Sequence, residues 1–229
     1  MPPLLSIIVP VYNESATIAA VLDRLLEIPL PLPREIIAVN DGSRDGTAAA
    51  LDAAAAASPL ITAVHLERNG GKGRALRTGL ARTSGSIVAI QDADLELDPG
   101  QLGSLVEPIL SGEADVVYGS RFMPGASQSH VPAVTRIGNA SLTWLTNMLY
   151  GAALTDMETC YKIMRGDLAR SLPLTADRFD IEPEITVLLL KGGTRIVERP
   201  VHFSPRSKAA GKKIRWRDGL HAVRLLVTH

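Results

Sequence analysis

The sequence predicts an α/β fold in which a mainly parallel central sheet is flanked by helices within one domain. In the first half, short β-branched runs alternate with Ala- and Leu-rich stretches of helical period. Each run is largely apolar, as expected of a strand that is buried on both faces. This alternation is typical of layered α/β proteins. The 229 residues suffice for one sizeable domain but not comfortably for two.

The elements follow from the two hydrophobic periods along the chain. The predicted strands of the first half are residues 5–11, 35–40, 61–66, 86–91 and 115–119. The helices predicted between them are residues 15–26, 45–57, 73–83 and 99–111. The second half is less regular and predicts a helix over 135–150, a short strand over 157–165, a helix over 180–191 and a strand over 194–203.

Composition bounds the function only weakly. The 24 basic and 24 acidic residues cancel, so net charge gives no indication of a nucleic-acid partner. Cys160 is the single cysteine, which excludes an internal disulfide framework and fits a reducing compartment. We find neither a signal-peptide pattern nor an apolar run of the ~20 residues that a spanning helix needs. We therefore expect a chain that is soluble or held at a membrane surface.

Polar clusters follow three of the predicted strands. They are Tyr12-Asn13-Glu14, Asp41-Gly42-Ser43 and Asp92-Ala93-Asp94. Ligands of open α/β sheets bind outside the carboxyl ends of the strands, so these clusters predict one ligand site. Each cluster taken alone also fits a helix cap or a turn, because Asn, Asp and Ser favour those positions.

Asp92 and Asp94 predict a metal site. Alternation along an extended segment would place both carboxylates on one side, and Glu96 continues that alternation. Two convergent carboxylates repel each other and need a cation or a proton. Oxygen ligands suit Mg²⁺ or Mn²⁺, which commonly takes one or two carboxylates together with substrate phosphates. The alternative is a solvated acidic loop that leads into the next helix.

Two glycine-containing segments add to the predicted site. Asp41 at a strand end suits a hydrogen bond to a nucleobase N–H, although a structural turn is the alternative. Residues 68–76, with Lys72 at their centre, resemble a phosphate-binding loop that enters a helix. The segment has neither the Walker A spacing nor the Gly-x-Gly-x-x-Gly fingerprint of dinucleotide-binding folds.

Residues 6–14 (SIIVPVYNE), 39–43 (VNDGS), 71–73 (GKG) and 92–94 (DAD) occur in the order found in family 2 inverting glycosyltransferases of the GT-A fold. The sequence resembles that family from about residue 5 to residue 125. Gly119-Ser120-Arg121-Phe122, the helix from Arg136 and the basic C-terminal end look like the dolichol-phosphate-mannose-synthase branch. That branch transfers one sugar from a nucleotide donor to a polyprenyl monophosphate.

The resemblance implies a role for each matching residue. Pro10, Tyr12 and Glu14 would hold the nucleoside and Asp41 its base, while Asp92 would lie beside the ribose and the metal. Asp94 and Glu96 would ligate Mg²⁺ or Mn²⁺, Arg121 and Arg136 would bind the lipid phosphate, and Arg206 and Lys208 would hold donor phosphates. Asp94, Arg121 and Arg136 are thus the expected catalytic residues. Surface ion pairing is the alternative for the two acceptor arginines.

The predicted GT-A domain covers residues 1–205, and residues 206–229 form a basic loop and an amphipathic helix. Basic side chains and Trp216 suit an interfacial helix on anionic lipid. We therefore expect a peripheral protein on the cytoplasmic face of the membrane, with a membrane-anchoring partner subunit as a further possibility. The alternative is that this helix packs on the domain itself.

Three other functions compete with transfer to a polyprenyl phosphate. A related transferase with a soluble or polysaccharide acceptor would not need Arg121, Arg136 and the basic end. A non-catalytic binding module predicts the loss of Asp94 or of the basic loop, and both are present. A nucleotidyltransferase would carry a Gly-rich loop after the first strand, where this chain has Val11 to Glu14.

Overall fold

The computed structural model describes residues 3–128, 131, 133–205 and 216–228. Its main sheet has seven strands in the order β3-β2-β1-β4-β7-β5-β8. The strands are β1 (Leu5–Val11), β2 (Arg34–Asn40), β3 (Ile61–His65), β4 (Ile87–Ile90), β5 (Val116–Ser120), β6 (Ser127–Gln128), β7 (Lys162–Arg165), β8 (Ile196–Pro200) and β9 (His202–Phe203). The helices are α1 (Ile18–Glu27), α2 (Thr47–Ala57), α3 (Lys72–Leu80), α4 (Leu102–Leu110), α5 (Ala133–Tyr150), α6 (Gly166–Ser171), α7 (Ile181–Lys191) and α8 (Trp216–Thr228).

The first four strands form a parallel half-sheet with β1 at its centre. β1 pairs with β2 on one side and β4 on the other, and Ile8 lies opposite Ile37 and Ile90. Its residues are buried on both faces, which is why the sequence shows a continuous apolar run there. This half confirms the predicted strands and helices to within a few residues, apart from a 3-10 turn at Pro99–Gln101 that precedes α4.

β7 departs from the parallel arrangement. It lies between β4 and β5 and is antiparallel to both. Because β7 separates them, β4 and β5 are not neighbours in the sheet, although they follow each other along the main-sheet part of the chain. The predicted strand over 157–165 is therefore too long, since only its last four residues pair. The preceding residues turn back, with the Lys162 amide donating to the Cys160 carbonyl at 2.8 Å.

The predicted strand over 194–203 is also wrong as a single element. β8 pairs with β5 in the main sheet, whereas β9 pairs with β6 in a separate two-stranded sheet. The break falls at Val201, whose amide donates to the Ser120 carbonyl at 3.0 Å. The sequence analysis did not predict β6 or α6.

Helix α8 packs on the domain through its apolar face. Ala222 and Leu226 are buried, and Leu226 shares a small cluster with Leu154, Met157 and Val187. The Tyr150 hydroxyl donates to the Leu226 carbonyl at 2.7 Å. The helix therefore packs mainly against α5 and α7, and Ile196 of β8 borders the same cluster. The boundary at residue 205 stays a prediction. Among the residues described, no helix combines the length and apolar character needed to cross a membrane.

Candidate functional site

The polar residues after β1, β2 and β4 meet at one edge of the sheet, as predicted. Glu14 is buried there, and its amide donates to the Thr47 hydroxyl at 2.9 Å. Thr17 links the turn after β1 to the turn after β4, because its hydroxyl lies 3.0 Å from Glu14 Oε2 and 2.7 Å from the Ala93 carbonyl. Pro10 and Tyr12, at the end of β1, are partly exposed at this edge.

The Asp41 carboxylate binds the glycine-rich loop that precedes α3. It accepts from the Asn69 side-chain amide at 2.7 Å, the Gly70 amide at 2.8 Å and the Gly71 amide at 2.7 Å. Only 2% of Asp41 is exposed, and burial raises the pKa of its carboxyl group. An ionised carboxylate offers about four acceptor positions, so most of this one is occupied within the protein. These bonds join two distant loops and are not those of the local turn that was the alternative. The predicted contact with a nucleobase stays a prediction.

The predicted phosphate-binding loop at the start of α3 is wrong. The Gly73 amide donates to the Arg178 carbonyl at 3.2 Å, and the Arg74 amide donates to the Asp177 carbonyl at 3.0 Å. An anion at the helix N-terminus would need these same amides. A Cβ on Gly73 would lie 2.3 Å from the Ala176 carbonyl oxygen. The glycines therefore permit a close approach of residues 176–178 and not of a phosphate.

Lys72 pairs with two acids and lies away from solvent. Its ammonium lies 2.8 Å from Asp92 Oδ1 and 2.9 Å from Glu182 Oε1, with 12% of the side chain exposed. Burial opposes the charged form, but the two acids outweigh it and raise the pKa of Lys72 well above its ordinary value. Despite burial, Lys72 lowers the pKa of Asp92, so that carboxylate is ionised. Lys72 thus contacts Asp92 within the protein, and its predicted contact with donor phosphates stays a prediction.

The segment after β4 turns sharply, and the predicted alternation of carboxylates is wrong. Leu95 has a φ of 60°, and Asp94 Oδ1 accepts from the Glu96 amide at 3.1 Å. Within the described ranges, no three His, Cys, Asp or Glu side chains form a group that could hold a metal ion. Asp92, Asp94 and Glu96 are therefore not assembled as three ligands. The two aspartates still fit an ion that takes its remaining ligands from a diphosphate.

Arg121 forms a buried ion pair with Asp156. Its Nε and Nη2 donate to the two carboxylate oxygens at 2.7 and 2.8 Å, and its amide donates to the same group at 2.9 Å. Asn139 of α5 adds a fourth bond at 3.0 Å. Asp156 is fully buried and 17% of the Arg121 side chain is exposed. Surface pairing was the alternative for Arg121, and the pair lies in the interior instead. Burial lowers the pKa of Arg121, but Asp156 outweighs burial and raises that pKa. The predicted contact with the lipid phosphate stays a prediction.

Arg136 is exposed near the start of α5, one helical turn before Asn139. Arg206 and Lys208 lie outside the described residues. Three charged residues of this region were not identified as site residues from the sequence. Asp156 contacts Arg121, Glu182 contacts Lys72, and Lys162 contacts Glu182. The available signal was a charged residue inside an apolar segment, because Lys162 begins a buried strand and Glu182 lies on the buried side of α7.

The sequence profile of Glycosyl transferase family 2 matches residues 6–168. The chain belongs to this family. An undecaprenyl-phosphate mannosyltransferase of Micrococcus luteus is 30% identical over 213 residues, covering 90% of this chain and 85% of the relative. A polyprenol monophosphomannose synthase of Mycolicibacterium smegmatis is 27% identical over 220 residues, covering 91% of this chain and 82% of the relative.

Among solved structures, this chain resembles glucosyl-3-phosphoglycerate synthase from Mycobacterium tuberculosis in complex with Mg²⁺ and UDP. The TM-score is 0.69 at 25% identity, covering 98% of this chain and 77% of that chain. The predicted fold and family are thereby confirmed, and the protein is a glycosyltransferase.

Proposed function

We propose that this glycosyltransferase transfers one hexosyl group, with inversion, from a nucleotide-diphosphate sugar to a polyprenyl monophosphate. GDP-mannose, UDP-glucose and UDP-N-acetylglucosamine are the candidate donors, and a dolichyl or undecaprenyl phosphate is the candidate acceptor. The named relatives act on polyprenyl phosphates. The domain that we assign to this reaction is residues 1–205, with residues 206–229 next to the membrane.

The donor side of the proposal is supported by the sheet edge that carries Glu14, Asp92 and Asp94. Pro10, Tyr12 and Glu14 at the end of β1 would contact the nucleoside, and Asp41 its base. Asp94 would hold Mg²⁺ or Mn²⁺, with Asp92 and Glu96 as the further predicted ligands; the described residues do not group all three around one point. A divalent ion bound there would offset the charge that develops on the leaving nucleoside diphosphate. The assignment of donor phosphates to Arg206 and Lys208 stays a proposal from sequence.

The observation that carries the acceptor assignment is the position of helix α5. Asn139 on this helix contacts the Arg121–Asp156 pair, and Arg136 lies one turn earlier. Residues three apart are neighbours on a helix surface, so the two arginines flank one region. A phosphate monoester bound there is already an anionic nucleophile and needs no strong general base. Arginine donors suit such a phosphate because they bind its oxygens in a fixed planar geometry.

The same helix presents an apolar face to solvent. Ile137, Trp144 and Met148 are exposed by 66%, 63% and 57%, and their spacings of seven and four residues place them on one side of α5. Val223 of α8 is exposed and lines the same surface region, and α5 contains no acidic residue. An acceptor with an anionic head and a long apolar tail matches basic and apolar groups on one helix. We therefore place the enzyme peripherally on the cytoplasmic face of the membrane, where an anchoring subunit would be a further partner.

A panel of donors and acceptors tests the proposal. The three nucleotide sugars are incubated with a short polyprenyl phosphate, a free sugar and a glycerate phosphate, each with Mn²⁺ or Mg²⁺ or with a chelator. We expect transfer to the lipid phosphate alone, dependent on the ion. Transfer to free sugars or glycerate derivatives without transfer to lipid would instead establish the alternative, a family 2 enzyme with a soluble or polysaccharide acceptor.

Two substitutions separate the donor and acceptor sides. Asp94→Ala should abolish transfer without changing the melting temperature, and near-normal turnover would refute the role of Asp94. Arg136→Ala should raise KM for the lipid phosphate far more than KM for the donor, and equal changes would contradict its acceptor role. Arg82→Ala is the control, because Arg82 is also an exposed arginine, in the turn that follows α3, and bonds only the Thr78 carbonyl among the described contacts.

A further inference from the structure

A second layer of buried charge lies behind the Lys72–Asp92 pair. Glu182, in the first turn of α7, is 3% exposed, and Lys162, the first residue of β7, is fully buried. Glu182 Oε1 lies 2.9 Å from the Lys72 ammonium, and Glu182 Oε2 lies 2.5 Å from the Lys162 ammonium. Two cations and two anions thus alternate from Lys162 to Asp92, and their formal charges cancel.

Lys162 is fixed by its hydrogen bonds. An ammonium has three N–H groups, and those of Lys162 donate to the Met157 carbonyl at 3.1 Å, the Thr159 carbonyl at 2.5 Å and Glu182 at 2.5 Å. The ammonium also lies 4.8 Å from the centre of the buried Tyr118 ring. Because Lys162 has no donor left over, it holds Glu182 in one position.

Glu182 in turn limits where the Lys72 ammonium can lie. A lysine has a flexible four-carbon side chain and a compact charge, so a single partner leaves its position loosely defined. Here Lys72 is held between Glu182 on α7 and Asp92 after β4. The chain of contacts therefore reaches from the interior of the domain to the candidate donor site, without Glu182 itself lying at that site.

Two buried charges, Lys162 and Glu182, joined to two partly exposed ones need an explanation beyond stability. Replacing a buried ion pair with apolar residues is often neutral or stabilising, so such pairs are weak evidence for a role in folding. Neighbours of the residues that hold a metal or a substrate orient those residues, and their loss reduces affinity or activity. This second explanation fits the end of the chain of charges at Asp92.

We propose that Glu182 is a positioning residue, which acts through Lys72 to orient the Asp92 carboxylate toward the nucleotide-sugar donor, and that Lys162 keeps Glu182 in place. The consequence for catalysis rests on the proposed donor site. The effect of Glu182 on Lys72 does not rest on that site, and it can be measured without any ligand.

Glu184 provides a matched control on the same helix. It is 1% exposed, and its carboxylate accepts from the Thr175 amide and hydroxyl and from the Ala176 amide. It is therefore a buried glutamate that ties a loop to α7 without reaching Lys72 among these contacts. Glu184→Gln should lower the melting temperature while leaving donor binding and turnover unchanged.

The first measurement follows Lys72 by its acetylation rate with acetic anhydride, read by mass spectrometry on the folded protein. Glu182→Gln should raise that rate and Glu184→Gln should not. Without Glu182 the flexible Lys72 side chain keeps one acidic partner in place of two, so its amine reaches the reagent more often. An unchanged rate in Glu182→Gln would overturn the proposed contact. This result stands whether or not the protein binds a nucleotide sugar, so it separates the two proposals.

The second measurement is a double-mutant cycle with Lys72→Met, Glu182→Gln and both together. Binding of UDP and GDP with Mn²⁺ is measured by calorimetry, and kcat and KM with the best donor of the panel. We expect Glu182→Gln to reduce affinity or kcat by about 10- to 100-fold. The double variant should be no worse than Lys72→Met, because Glu182 acts only through Lys72. Independent, multiplicative losses would overturn the positioning role.

Glu182→Gln leaves Lys162 buried without its acid and could unfold the protein. Lys162→Met combined with Glu182→Gln removes one cation and one anion together and keeps the buried charge balanced. We expect this variant to fold, to bind UDP or GDP weakly and to show fast acetylation of Lys72. Wild-type affinity and wild-type acetylation in this folded variant would refute the proposal.

Discussion

Asp156 is the residue whose loss we expect to cost the most stability. It is fully buried and accepts four hydrogen bonds, three from Arg121 and one from Asn139. Asp156→Ala would leave the Arg121 guanidinium, of which 17% is exposed, without its counter-ion. Removing one partner of a buried ion pair costs about 3–5 kcal/mol. For a chain of this size each kcal/mol lowers the melting temperature by roughly 2–4 °C.

Urea unfolding followed by circular dichroism measures this cost, and the exposed pair of Asp115 and Arg165 supplies the control. Their nitrogen and oxygen lie 3.3 Å apart with about half of each side chain exposed, at 59% and 52%. Such pairs contribute about 0–1 kcal/mol, so Asp115→Ala should hardly shift the midpoint. Asp156→Asn, which keeps one acceptor oxygen, should fall between the two. A loss below about 1 kcal/mol in Asp156→Ala would refute the reasoning.

Three further predictions follow from single side chains. Gly73→Ala should lower the free energy of unfolding by about 1–3 kcal/mol or more, because its Cβ would lie 2.3 Å from a backbone oxygen. Gly138→Ala, whose Cβ would have nothing within 4 Å, should instead stabilise α5. Equal urea unfolding midpoints for the two variants would contradict this expectation. Burial is the main cause that raises the pKa of Glu158 to about 7. The neutral carboxyl group therefore contributes its whole stabilisation below pH 4.5, and this contribution is lost as the pH rises through 7. Glu158→Gln should therefore be more stable than wild type by up to about 3 kcal/mol above pH 7 and equal to it near pH 4.5, as pH-dependent unfolding will show. Cys160 is the single cysteine, and burial raises the pKa of its thiol. It should therefore react with a disulfide reagent only after the protein unfolds. Rapid reaction of the folded protein would contradict this prediction.

Local pattern was enough to predict the first half of the sheet. Strands such as β1 and β2 are short, apolar on both faces and bounded by turn residues, and helix α1 carries a clear apolar face. Their carboxyl ends meet at one edge because parallel strands place them there, so Glu14 and Asp92 could be placed near each other from sequence. The insertion of β7 depends on contacts between distant segments, which local periodicity does not contain.

The errors at the candidate site have the same origin. Gly73 has the spacing of an anion-binding loop, yet its amide binds a carbonyl of Arg178, more than a hundred residues later. For Asp41 and Lys72 the fold adds partners that the sequence did not indicate, loop amides for Asp41 and Glu182 for Lys72, and their contact with a donor stays a prediction. Glycine signals a close approach but does not identify what approaches. A charged residue signals a partner, and here the partner is often another part of the chain.

The insertion of β7 between β4 and β5 sets an order for events during synthesis. Lys162 follows Ile90 by 72 residues, so at about 5–20 residues per second the ribosome needs roughly 4–14 s to deliver the strand that covers β4. During that interval the nascent chain exposes an apolar edge with the sequence IVAI, which can pair with other chains. β5 and β8 have no place in the sheet before then. A chain that stops before residue 162 would therefore leave this edge of β4 without its native partner strand.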